Sequence, residues 1–143
     1  MPLLTGSCHC GAHKVEFASR LEPEALEVRA CQCSFCRTHG ALSISDPAGT
    51  LTYRVSPAAI STYRFGLRLA DFLVCIRCGA YLGAYMEEAG KAYGVLNLNV
   101  LDARARFASP RPMSYDGESE TQRLARRRER WTPAERIDGD PVR

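Results

Sequence analysis

Apolar and polar positions alternate along most of residues 1–115. Val15 and Phe17, Leu26 and Val28, Leu51 with Tyr53 and Val55, and Leu96 with Leu98 and Val100 all keep a period of two. That period puts every second side chain on one face of a half-buried strand. Turn signals break these runs at short intervals: Asp46-Pro47-Ala48-Gly49, Ser56-Pro57, Arg77-Cys78-Gly79 and Glu88-Ala89-Gly90. Many short strands with regular breaks predict a mainly β domain with antiparallel pairing. One short helical turn is expected at Ser34–His39.

The pattern changes near Pro110-Arg111-Pro112, where β-branched residues thin out and charge becomes dense. Ser119-Glu120-Thr121-Gln122 fits a capping box, with Ser119 as N-cap and Gln122 at the third helical position. A helix is expected over residues 119–131, acidic at its start and basic at its end, as the helix dipole favours. Leu124 and Trp131, seven apart, share the face that docks it on the β domain, and Thr132-Pro133 stops it. Arg126, Arg127, Arg128 and Arg130 read as a solvated helix face rather than a nucleic-acid contact, and residues 138–143 as a frayed tail. The chain thus divides into a β domain over 1–115 and a C-terminal helix and tail over 116–143 packed on it.

Length and composition narrow the class. A chain of 143 residues, 45% of them hydrophobic, makes one domain that buries about two thirds of its unfolded surface. No apolar run approaches the roughly 18 residues of a membrane span. The opening Met-Pro-Leu-Leu-Thr-Gly lacks the basic start and apolar stretch of a signal peptide. A cytoplasmic protein is expected. The formal net charge of +3 gives at most a mild preference for anionic partners.

Seven cysteines alter that estimate: Cys8, Cys10, Cys31, Cys33, Cys36, Cys75 and Cys78. An odd number in a chain without an export signal argues against a disulfide framework. Tight C-x-C and C-x2-C spacings read as metal ligands, because such turns aim two sulfurs at one point about 2.3 Å from each. Two Zn2+ ions add four charges and seven thiolates remove seven, so the +3 falls to zero. The composition-level case for nucleic acid goes with it.

Seven ligands divide most economically into four and three. Closed structural zinc sites take four protein ligands, whereas reactive sites keep three and an open position. The trio Cys31, Cys33 and Cys36 is dense enough to hold one metal alone. Cys8 and Cys10 then pair with Cys75 and Cys78 in a structural site that ties the N-terminus to the middle of the chain. Gly11 and Gly79 each follow a cysteine, where a knuckle turn needs positive φ. At the trio two alternatives stand: His39 completes a Cys3His site, or the fourth position belongs to water or an incoming thiol. An iron–sulfur cubane fits less well, since it wants four thiolates.

Three segments carry a specific resemblance. Thr5-Gly6-Ser7-Cys8-His9-Cys10-Gly11-Ala12, Cys31-Gln32-Cys33-Ser34-Phe35-Cys36-Arg37-Thr38-His39-Gly40-Ala41 and Cys75-Ile76-Arg77-Cys78-Gly79 resemble, in order, spacing and flanks, the signatures of the glutathione-dependent formaldehyde-activating enzyme family, which also includes centromere protein V. The likeness runs over roughly the first 105 residues and takes in Asn97-Leu98-Asn99-Val100-Leu101-Asp102. It implies a β-rich Mss4-like fold of several small antiparallel sheets, a structural zinc on Cys8, Cys10, Cys75 and Cys78, and a catalytic zinc on Cys31, Cys33 and Cys36. The implied activity is a carbon–sulfur lyase reaction of the S-(hydroxymethyl)glutathione synthase type, with glutathione as the small-thiol partner and formaldehyde or a related aldehyde as the second substrate. Gln32 departs from the family, which often has His between the paired cysteines.

A metal-held thiol is deprotonated near neutral pH and needs no separate base to attack an aldehyde. Around the trio, Arg37 is a candidate for holding a carboxylate of a glutathione-like ligand or a surface residue. His39 is a candidate proton shuttle, ligand or orienting group. Ser34 fits an N-cap better than a nucleophile. Tyr81, Tyr85 and Tyr93 are candidate pocket walls or ordinary packing. The competing class is a zinc-stabilised binding module without catalysis, distinguished by a protein group in the trio's fourth position.

Overall fold

The computed structural model describes residues 1–139. In chain order its regular elements are β1 (Leu3–Ser7), β2 (Lys14–Ala18), β3 (Arg29–Cys31), α1 (Ser34–His39), β4 (Ser43–Ile44), β5 (Thr50–Val55), β6 (Ile60–Tyr63), β7 (Asp71–Cys75), β8 (Tyr81–Glu88), β9 (Lys91–Asn97), β10 (Arg111–Met113), α2 (Glu120–Arg130) and β11 (Thr132–Asp138). The protein is mainly β with a C-terminal helix, as its alternating pattern predicts.

The strands join in one continuous sheet that runs β1-β2-β5-β11-β9-β4-β3-β10, with β8, β7 and β6 branching from β9. Most pairs are antiparallel. Two are parallel: β11 on β5 and β10 on β3. Both involve segments from the C-terminal part of the chain, and the long connections allow the return in the same direction that a tight hairpin cannot give.

The apolar alternation marks buried faces more faithfully than it marks strands. Leu26 and Val28 are buried, but a single 3-10 turn at Pro23–Ala25 precedes them and the strand begins only at Arg29. Leu98 and Val100 lie in another 3-10 turn. There the Asn97 side chain accepts from the backbone N–H of Asn99 and of Leu42 and donates to the carbonyl of Tyr81. Such local side-chain bonds compete with a strand ladder and end β9.

At the C-terminus the capping box forms as expected: Gln122 N donates to Ser119 Oγ at 3.1 Å and Ser119 N to Gln122 Oε1 at 2.8 Å. Trp131 is buried at the helix end and Leu124 packs against the same cluster. Thr132-Pro133 does stop the helix, yet a strand follows. Asp138, read as the start of a frayed tail, is the last residue of β11; residues 140–143 lie outside the described ones. Pro133 is tolerated because it sits at the strand's beginning, where a missing N–H costs little.

Two apolar clusters fill the molecule. The larger gathers Val15, Phe17, Leu51, Tyr53, Leu73 and Leu96 between the sheet faces. The smaller, with Phe72, Tyr81, Met86 and Trp131, lies beneath the central cysteines.

Candidate metal centres and the adjoining cavity

Cys8 and Cys10 occupy the turn after β1, Cys75 ends β7, and Cys78 sits in the turn before β8. Gly11 and Gly79 both have φ near 80° (83° and 80°), the left-handed backbone that a knuckle needs and that L side chains resist. The four sulfurs lie within 4.8 Å of one another. Cys8 Sγ and Cys10 Sγ are 3.8 Å apart, and Cys10 Sγ and Cys75 Sγ 3.7 Å. Four sulfurs about 2.3 Å from one tetrahedral ion would stand about 3.8 Å apart, so this donor set fits Zn2+.

The surrounding backbone supports negative sulfur. The N–H groups of His13 and Arg77 donate to Cys8 Sγ and Cys75 Sγ at 3.3 and 3.4 Å. Burial pushes the Cys8 thiol up to about 12. Burial also acts on Cys78, but hydrogen bonds from the backbone of Ala80 and Cys10 and from the neighbouring thiols hold it at about 6. His13 is fully buried; Nδ1 accepts from Ser56 N at 3.1 Å and Nε2 faces the Ala59 carbonyl at 2.9 Å, so the ring bolts the first knuckle to the β5–β6 connection.

The second group forms where β3 runs into α1. Cys33 is the N-cap of α1 and its sulfur accepts from Cys36 N at 3.4 Å, while Gly40, at φ 59°, ends the helix in the left-handed region. Cys31, Cys33 and Cys36 bring their sulfurs within 4.8 Å of one another. Hydrogen bonding from the Cys36 thiol draws Cys31 down to about 5, and the same contact drives Cys36 far upward. Thiolates this close repel one another; a divalent cation would remove that conflict.

Among the described residues, no fourth His, Cys, Asp or Glu atom joins this group. His39 turns away: its Nδ1 lies 3.0 Å from the Phe35 carbonyl one helical turn back, and its ring packs on Phe35 at 4.3 Å and Tyr81 at 5.7 Å. Arg37 donates from Nε to the Gln32 carbonyl at 3.0 Å, and Gln32 from Nε2 to the Ala30 carbonyl at 2.8 Å, both at the surface. Instead, the three cysteines face a cavity of about 110 Å³ walled by Phe65, Phe72 and Tyr81. Tyr85 belongs to the larger core with its hydroxyl on Glu87. Tyr93 packs against the outer side of the smaller cluster.

Residues 3–115 match the model of the family described as glutathione-dependent formaldehyde-activating enzyme. The chain belongs to this family. The crystal structure of a Rhodobacter sphaeroides protein is similar at 28% identity and a TM-score of 0.56, over 76% of this chain and 99% of that one.

Part of the cavity wall comes from beyond the family-matched segment. Arg123, Arg126 and Arg127 of α2 line it together with Arg29 of β3. Arg123 and Arg126 both reach Glu118, at 3.0 and 2.7 Å, and Arg126 lies 3.6 Å over the Tyr115 ring. Arg29 donates to Ser45 Oγ, which in turn donates to the Arg130 carbonyl, so the end of α2 is tied to β3. The solvated-face reading of the arginines therefore fits Arg128 and Arg130 but neither Arg126, which is half-buried on the cavity wall and paired with Glu118, nor Arg127, which is buried. The signal was available: Arg127 stands three residues after Leu124 and four before Trp131, on the docking face itself.

Proposed function

We propose that this protein holds two Zn2+ ions, a structural one on Cys8, Cys10, Cys75 and Cys78 and a reactive one on Cys31, Cys33 and Cys36, and joins a small thiol to an aldehyde as a carbon–sulfur lyase of the S-(hydroxymethyl)glutathione synthase type. Glutathione and formaldehyde, or a related small aldehyde, are the substrates. The thiol sulfur bonds to the aldehyde carbon and the thiol proton passes to the aldehyde oxygen; reversal breaks the same bond. The observation that carries this reading is the trio's position on the wall of a cavity, with no fourth protein ligand among the described residues.

Zn2+ at the trio supplies a fourth coordination position and lowers the pKa of a thiol that takes it. Cys31, Cys33 and Cys36 hold the ion, fixed by the N-cap geometry of α1. Phe65, Phe72 and Tyr81 shield the cavity from bulk water. Burial, with the trio's sulfurs nearby, raises the Tyr81 phenol well above its usual range, so Tyr81 Oη keeps its proton and remains a donor on the wall. His39 and Arg37 serve the reaction by bracing α1, through the Phe35 and Gln32 carbonyls. A reducing, cytoplasmic compartment suits seven ligating thiols. Nucleic acid is outside the partner set, because Arg123 and Arg126 are engaged with Glu118, Arg127 is buried, and the exposed Arg128 and Arg130 pair with Glu88 and Glu129.

Metal quantification on wild type, Cys33→Ser and Cys78→Ser tests the division. Cys33→Ser is expected to lose one metal equivalent and stay folded, whereas Cys78→Ser misfolds, because binding energy at a structural site is also folding energy. Glutathione added to wild type is expected to place a further sulfur on the metal in an X-ray absorption edge spectrum. Equal loss of fold in both variants, or a spectrum unmoved by glutathione, would favour a non-catalytic zinc-stabilised module.

A further inference from the structure

α2 sets into the cavity wall a charge that no carboxylate among the described residues answers. Arg127 is 8% exposed, and among the described residues it makes no ion pair, since Glu118 is occupied by Arg123 and Arg126. Its Nε is buried without a hydrogen-bond partner. Its Nη1 reaches only Met86 Sδ, at 4.0 Å, and the guanidinium stands 4.5 Å over the Trp131 ring. A buried guanidinium without an anion is costly. Burial and the neighbouring Arg126 and Arg123 both act against its charge, drawing its pKa down to about 10. The remaining charge on the wall does not offset it: Arg123 and Arg126 are taken up by Glu118, and the lining adds Arg29 and Arg68 against a single carboxylate, Asp116.

Cys31, Cys33 and Cys36 open on the same space. The geometry points to Arg127 as the anchor for a carboxylate carried by the thiol substrate, so that one molecule is gripped by its sulfur at the trio and by its acid group at α2. A planar carboxylate matches the fork of Nε–H and a terminal N–H, and the bond is strengthened by charge in a dry site. The anchor lies outside residues 3–115, so it is a specificity element added to the family's shared domain. It rests on the reading that a thiol meets the trio.

Two thiols of equal size test it, 3-mercaptopropionate and 3-mercaptopropionamide, titrated calorimetrically into zinc-loaded wild type, Arg127→Met and Arg127→Lys. Wild type is expected to bind the acid about tenfold or more tightly than the amide. Arg127→Met should bind both as wild type binds the amide, and should melt no lower than wild type, since an unpaired buried charge has been removed. Arg127→Lys keeps charge without the fork and should show an intermediate preference, which decides the matter if the methionine variant does not fold. Absence of the preference in wild type, or its survival in Arg127→Met, overturns the anchor. Should wild type bind neither thiol, the thiol site falls, and butyrate then judges the anchor alone. Butyrate binding that Arg127→Met abolishes upholds it; no binding, or equal binding, overturns it.

Discussion

Asp46 illustrates how single side chains hold the framework that carries the cysteines. It is buried, and its carboxylate accepts from Ser19 Oγ at 2.6 Å, Ala48 N at 2.9 Å and Arg20 N at 3.2 Å. Burial pushes its pKa upward, but these donors outweigh it and hold the carboxyl below its ordinary 3.8. The unfolded chain therefore takes up the proton at higher pH than the native one. The stabilisation is complete above the ordinary value and disappears as pH falls through the lowered one. Asp46→Asn is expected to cost about 1–3 kcal/mol in denaturant unfolding at pH 7, and the gap from wild type should narrow below about pH 4. Only the bond from Ala48 N, inside the turn Asp46-Pro47-Ala48-Gly49, was legible in the sequence; Ser19 and Arg20 lie 27 and 26 positions away, and Thr132 Oγ1 accepts from Asp46 N across 86. The cysteine grouping was legible for the opposite reason: neighbouring cysteines stand two or three residues apart, so local spacing already fixes most of each cluster. Gly6 lies between these cases. A Cβ there would strike the backbone of Val100 and Leu101, where Asp102 N donates to Thr5 O at 3.0 Å, so the first and last segments that carry the resemblance touch in the fold.

Among the elements, α2 was readable and β11 was not. The capping box, the dipole-matched charges and the Leu124–Trp131 face are all properties of consecutive residues, which a sequence displays directly. β11 reads Thr-Pro-Ala-Glu-Arg-Ile-Asp, with three charges and a proline, and becomes a strand only because β5 and β9 offer it hydrogen-bonding edges. β4 and β10, of two and three residues, are likewise created by their neighbours rather than by propensity. The α2 cap has a measurable role, since the helix carries both Trp131 and the cavity arginines. Ser119→Ala is expected to lower stability by about 1 kcal/mol, and hydrogen exchange should show the loss concentrated in the first turn of α2, with the metal content unchanged.

In the molecule as a whole, β11 is the only ladder joining the β1-β2-β5 group to the rest of the sheet among the described residues, beside the isolated Gly6–Leu101 bridge. Truncation after Trp131 should therefore abolish a single cooperative thermal transition, not trim an end, and circular dichroism would register the loss; a sharp native-like melt would contradict it. The four-cysteine group spans the same divide, linking the turn after β1 to that between β7 and β8. Sulfur cluster and strand thus act as two clasps on one seam. The strand that closes the seam follows every other described element in chain order, so it is made after all of them. Until it is made the two halves lack their shared ladder, and a metal captured by the knuckles would already hold them in register for the missing slat.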